Sequence, residues 1–278
     1  MKFTKMQGCG NDYIYVNCFQ ESVCSPELVA KKISDRHFGI GSDGLVLICP
    51  SDLADCRMRM FNSDGSESEM CGNAIRCVAK YVYDRNIIHK KCISVETLAG
   101  IKYITIESDE NDIARTMTVD MGEPIIEAAK IPVISSESPV TNLTLSAYGS
   151  DFTFTCVSMG NPHAVTFIGD DVKSFDVERY GKVFEIDDHF PRKANIEFAE
   201  IISPTHIKMR VWERGAGETL ACGTGTCATV VAACLNKISP RVPVNVELLG
   251  GELFIEWRES DGHVYMTGPA EFVFDGEI

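Results

Sequence analysis

The chain has no apolar run near the roughly 18 residues that a membrane-spanning helix needs, which excludes an integral helical membrane protein. It also has no apolar core behind its first residues. MKFTKMQGCGNDY turns polar and glycine-rich within seven positions, unlike a secretory leader, so a cytoplasmic location is expected. Positive charge is scarce: 26 Lys and Arg stand against 40 Asp and Glu, a net charge of -14. No stretch gathers cations with interleaved aromatics, so nucleic acid is excluded as a partner, and membrane surfaces are too. Low-complexity segments are absent. The chain is not short of cysteine, with 12. In a long chain without a leader, at irregular spacings, these do not form a disulfide framework, and most are expected to be reduced and buried as small hydrophobes. A length of 278 residues, 45% hydrophobic and 24% charged, fits a globular protein of two domains, each of about 100–150 residues.

An internal repeat organises the rest. RMRMFNSDGSESEMCGN from Arg57 lies without a gap over KMRVWERGAGETLACGT from Lys208, 151 positions later. Arg59 then meets Arg210, Glu67 meets Glu218, Cys71 meets Cys222 and Gly72 meets Gly223. VETLAG from Val95 matches VELLGG from Val246 at the same offset, and Gly10-Asn11 matches Gly160-Asn161 at 150. In each copy a segment alternating apolar and charged residues, Cys56 to Phe61 and His206 to Trp212, reads as a half-buried strand. A polar glycine-containing loop, the Cys-Gly pair and a helical run follow. In the first copy Ile75, Val78, Ala79 and Val82 recur at helical spacing; in the second, Cys227 to Leu235 is apolar nearly all round and predicts a buried helix. Strands return at Ile93–Glu96 with Ile101–Ile106, and at Val244–Leu248 with Leu253–Trp257.

The pattern predicts an α+β protein of two pseudo-symmetric repeats, each a mixed, barrel-like sheet around a central helix, with an active site in the cleft between them. The expected domains are 1–118, with 264–278 returning to it, and 119–263. Lys130 to Ser150, rich in Ser and Pro, has no twin and reads as surface connection.

Cys71 and Cys222 each stand where a polar loop meets a helix. Unpaired N–H groups and the positive dipole end there favour a thiolate and can hold a carboxylate. A carbon between two such half-sites could lose a proton to one sulfur and gain one from the other, inverting its configuration. The resulting carbanion would be stabilised by the backbone donors once water is excluded. Other readings stand beside this one: packed small residues matched only by duplication, a redox couple, or a metal site with Cys77 and Cys227. Against a metal, the Cys-x5-Cys and Cys-x4-Cys spacings miss those of structural zinc, and no His lies in either motif.

GCGNDYIYV, FNSDGSE, MCGNAIRC, MGNPHAV, ANIEF, ERGAGETLACGTG and YMTGPA, in that order along nearly the whole chain, resemble the diaminopimelate epimerase family. Its members interconvert LL- and meso-2,6-diaminopimelate, on the route to lysine and peptidoglycan, without pyridoxal phosphate. The resemblance implies an isomerase with no cofactor and no metal. It puts the catalytic pair on Cys71 and Cys222, assistance to proton transfer on His163 and Glu213, and substrate binding on Asn11, Asn62, Gly72, Asn73, Asn161, Asn195, Glu213, Arg214, Gly223 and Thr224. Arg214 suits a distal carboxylate and Glu213 an ammonium. Asn62 and Ser63 occupy the places of Glu213 and Arg214 in the first copy, so the charged pair exists on one side only. Tyr265 matches a tyrosine at dimer contacts, which implies a homodimer. Gly44 stands where some members have a substrate-touching Gln. His37, His89, His189, His206 and His263 lack motif context and are left structural. Proline and hydroxyproline racemases, the nearest alternative, tend to carry a His after the first Cys-Gly, where this chain has Asn73.

Overall fold

The structure, a computed structural model, describes residues 1–169 and 171–278. It divides into two units, Met1–Asp120 with Thr267–Ile278, and Met121–Met266.

The first unit runs β1 (Lys2–Gly8), β2 (Asn11–Asn17), α1 (Pro26–Ser34), β3 (Gly44–Cys49), β4 (Cys56–Asn62), β5 (Glu67–Ser68), α2 (Gly72–Asp84), β6 (Cys92–Thr97), β7 (Gly100–Ser108) and β8 (Ala114–Asp120). The second holds β9 (Leu143–Ala147), β10 (Ser150–Ser158), β11 (Pro162–Phe167), α3 (Val177–Phe184), β12 (Asn195–Ser203), β13 (His206–Glu213), β14 (Gly217–Thr219), α4 (Gly223–Leu235), β15 (Val244–Leu248) and β16 (Gly251–Trp257). After β17 (Val264–Gly268) the chain enters the first unit again, where β18 (Glu271–Glu277) pairs antiparallel with β1.

Strand pairing carries the duplication in detail. In the first unit β2 and β3 run parallel with Tyr13 opposite Gly44; in the second β11 and β12 run parallel with His163 opposite Asn195. Likewise β4 and β6 pair Cys56 with Val95, and β13 and β15 pair Ile207 with Val246. The ion pair Arg59–Glu67, 2.7 Å, recurs as Arg210–Glu218, 2.6 Å. Each sheet curls around its helix. In the first unit α2 packs on β1 and β2 near one edge and on β7 and β8 at the other; in the second α4 packs on β10, β11, β12 and β16.

The first central helix is buried throughout, Gly72 to Tyr83, although it contains Arg76 and Lys80. Lys80 reaches Asp84 at 2.8 Å and donates to the Ala114 carbonyl, while the Ala114 N–H donates to Asp84, so its polar groups are satisfied inside the unit. The stretch Lys130–Ser150 is not surface connection. Ile131, Val133, Val140, Leu145 and Ala147 join the core of the second unit, and its last residues form β9 against β10. Alternating apolar residues within the Ser-rich run supply the buried face.

Candidate active site

In the first unit Cys71 is the N-cap of α2, in extended conformation (φ -134°, ψ 124°), and its carbonyl accepts the first helical hydrogen bond, from Ile75. The Cys71 thiol donates to Asn11 Oδ1 at 3.4 Å. Asn11 is oriented from behind: its amide donates to Asp43 Oδ2 at 2.7 Å, which leaves its carbonyl facing the sulfur. Asp43 also pairs with Arg36, which pairs in turn with Asp12. Asn73 is buried and accepts from Arg76 Nη2 at 2.9 Å. The Arg76 guanidinium, itself fully buried, also donates to the Gly72 and Pro269 carbonyls. Asn62 lies at the end of β4, its amide donating to Ser66. Gly44 is enforced by close approach: a Cβ there would lie 2.0 Å from the Phe61 carbonyl oxygen.

In the second unit Cys222 caps α4 in a matching conformation (φ -116°, ψ 107°) and is 6% exposed. The Gly225 N–H donates to its sulfur at 3.4 Å, and the Thr224 hydroxyl lies 3.5 Å from it. Glu213, at the end of β13, accepts from the Thr219 hydroxyl, and its charge bears on the Cys222 thiol. Asn195 accepts the Arg214 N–H at 2.9 Å and donates to the Pro162 carbonyl. Glu185 holds the same loop through the Gly215 N–H, and Arg214 donates to the Arg192 carbonyl. Asn161 donates to Thr224 at 3.3 Å and accepts from His163 Nε2 at 3.0 Å. His163 is fully buried inside β11 rather than in a turn before it.

At Cys222 burial opposes the helix terminus. Burial pushes this thiol well above its ordinary range, and the carboxylates of Glu213 and Glu197 push it further, against the opposing hydrogen bonds from Thr224 and Gly225. Burial also raises Glu213, against the Thr219 hydrogen bond, which suits it to take a proton from sulfur.

The first half thus gathers Cys71, Gly72, Asn73 and Asn11, and the second Cys222, Gly223, Thr224, Asn161, His163 and Glu213, with Asn195 at the start of β12 bonded to Arg214 in the loop after β13. Tyr265 lies apart on β17, its hydroxyl donating to Asp261 and its ring 3.6 Å from the Arg258 guanidinium. Sequence reasoning missed Asp43, which orients Asn11, and Glu197, which meets His163 Nδ1 at 2.6 Å. A lone acid inside the apolar run ANIEF was the signal for Glu197.

Solved structures share the whole architecture. A Bacillus anthracis phenazine biosynthesis protein of the PhzF family superposes with a TM-score of 0.72 over 100% of this chain and 98% of its own, at 18% identity. A hydroxyproline epimerase from Agrobacterium vitis gives 0.69 over 100% and 90%, at 11% identity. At these identities the likeness establishes the fold. Sequence relatives are much nearer. Proteins named diaminopimelate epimerase from Methanococcus maripaludis strain C6 and Acetivibrio thermocellus are each 59% identical over 278 residues, covering 100% of this chain and 99% and 98% of theirs. The protein is therefore an isomerase of the epimerase class. The family model described as diaminopimelate epimerase matches residues 3–127 and 155–273, and the chain belongs to that family.

Proposed function

We propose that this protein interconverts LL- and meso-diaminopimelate, without a cofactor, by passing the α-proton between substrate and the thiols of Cys71 and Cys222. The observation that carries the reading is the placement of the two cysteines at the same helix cap of the two repeats, each followed by Gly and each in extended conformation. Inversion requires a base on one face of the carbon and an acid on the other, and the duplication supplies one thiol for each.

With Cys222 protonated at rest, it is ready as the acid while Cys71 acts as base; the opposite direction needs Cys222 to surrender its proton first. Glu213, whose charge bears on that thiol and whose carboxyl is raised by burial, accepts it. Charge developing on the substrate carboxylate is met by first-turn N–H groups, at Gly72 and Asn73 in one half and Gly223 and Thr224 in the other. Arg214 takes the distal carboxylate, and Asn11, Asn62, Asn161, Asn195 and Glu213 serve the remaining polar groups. We assign this activity to a homodimer with Tyr265 at its contact, in the cytoplasm. No helix among the described residues is long and apolar enough to cross a membrane.

Cys71→Ala and Cys222→Ala variants, assayed separately for epimerisation, should each lose about 10²–10⁴-fold in rate. Full activity in either would contradict a two-thiol mechanism.

A further inference from the structure

Glu197 is buried at the centre of β12, with no exposed surface. Its Oε1 lies 2.6 Å from His163 Nδ1, and its Oε2 makes no hydrogen bond among the described residues. An unmatched buried carboxylate oxygen is costly, so chain stability alone does not explain its retention. A second feature accommodates the same group. Gly225, in the first turn of α4, could not carry a side chain, because a Cβ would come within 2.6 Å of Glu197 Oε1 and 3.3 Å of Cys222 Sγ.

The hydrogen bonds leading away from this carboxylate share one direction. Glu197 accepts at His163 Nδ1; His163 Nε2 donates to Asn161 Oδ1; Asn161 Nδ2 donates to the Thr224 hydroxyl; and that hydroxyl lies 3.5 Å from the Cys222 sulfur, to which its own proton can point. With both ring nitrogens facing acceptors, the His163–Glu197 pair holds two protons, one on Nε2 and one in the Nδ1···Oε1 bond. Linked donors polarise one another in a dry interior.

The first repeat has no His–Glu pair at the matching positions. The strand register places Tyr13 where His163 stands and Val46 where Glu197 stands, and the 151-residue offset places Ala74 opposite Gly225.

We infer that Glu197 is a positioning residue for the Cys222 half of the reaction, anchoring through His163, Asn161 and Thr224 a chain of donors that stabilises the sulfur when it gives up its proton. This rests on the reading of Cys222 as a proton carrier. As Cys222 delivers its proton to the substrate carbanion, the negative charge left on sulfur is met by the Thr224 hydroxyl and the Gly225 N–H, and no further proton leaves the chain. Besides His163, the ionisable groups facing Glu197 are Cys156, Glu213 and Cys222, none of them cationic. Glu197 Oε1 is the acceptor that the His163 Nδ1 position meets, and Glu197→Gln removes that carboxylate.

The test combines NMR of ring-labelled ¹⁵N-histidine with steady-state kinetics on wild type and Glu197→Gln, whose amide fills the same space. Wild-type His163 should show two ring N–H groups, that at Nδ1 far downfield. Glu197→Gln should lose the downfield proton, keep Nε2–H, and lower kcat by about 10–100-fold with KM unchanged. Gly225→Ala, which pushes the carboxylate aside, should reproduce the kinetic loss. A wild-type His163 with a single ring N–H overturns the inference whether or not the variants fold, as does Glu197→Gln with wild-type kcat. A wild-type enzyme that fails to epimerise diaminopimelate would instead overturn the proposed function, and the NMR result would still be read independently.

Discussion

At the scale of single residues, the two cysteines occupy one position of a repeated motif and differ in their surroundings. Cys71 faces an amide carbonyl that Asp43 holds in place, whereas burial, and after it the carboxylates of Glu213 and Glu197, push the Cys222 thiol above its ordinary range. The difference predicts a labelling profile. Alkylation of Cys222, followed by peptide mass spectrometry in the ligand-free enzyme, should keep rising above pH 9, beyond the range near 8.5 where an ordinary thiol ionises. A plateau at neutral pH would contradict the account. Gly44 gives a second test. Its missing side chain is a packing requirement, so Gly44→Ala should cost about 1–3 kcal/mol in denaturant unfolding by overpacking against the Phe61 carbonyl.

At the scale of elements, the two central helices satisfy burial differently. At the repeat offset, α4 has Cys227, Val231 and Leu235 where α2 has Arg76, Lys80 and Asp84. Periodicity read α4 correctly because an all-apolar helix has one sensible location. On α2 it marked Ile75, Val78, Ala79 and Val82 without showing how the charged residues between them are accommodated. Sequence does not show that Asp84 and the Ala114 backbone wait for Lys80 inside the unit. Lys80→Ala should therefore destabilise the protein by about 3–5 kcal/mol by leaving Asp84 buried and unpaired, and the double replacement Lys80→Met with Asp84→Leu should cost much less. Equal losses would show that the pair does not matter as a pair. The same limit explains Glu197: a charged residue in a strand normally marks the wet face, and only the parallel pairing of β11 and β12 reveals that it meets His163.

At the scale of the whole molecule, the duplication was legible because both copies keep the same spacing through strand, loop, cysteine and helix, and the pairing registers repeat it. Asymmetry was legible only in part. Asn62 opposite Glu213 is visible by eye, whereas Val46 opposite Glu197 requires the register. The excess of acid gives the molecule a sharp acid limit. Burial of Glu185 would raise its carboxyl, but hydrogen bonds from Trp212, Lys193 and Gly215 outweigh this and hold it below the ordinary range. A group depressed in the folded state contributes stability above its unfolded pKa of about 4.3 and loses it as pH falls through the folded value. Thermal stability should thus drop below about pH 4, and Glu185→Gln should flatten that dependence while lowering stability at pH 7. An unchanged acid limb in the variant would assign it to other carboxylates.

The central claim is that two thiols on two repeats exchange the α-proton with solvent across an inverting carbon. Its most direct test is to incubate the reduced enzyme with LL-diaminopimelate in heavy water, with no cofactor added, and follow the α-position by NMR and mass spectrometry. The account predicts meso product carrying deuterium at the inverted carbon, with the incorporation lost in Cys71→Ala and Cys222→Ala. Inversion without deuterium, or no inversion in fully reduced enzyme, would contradict it.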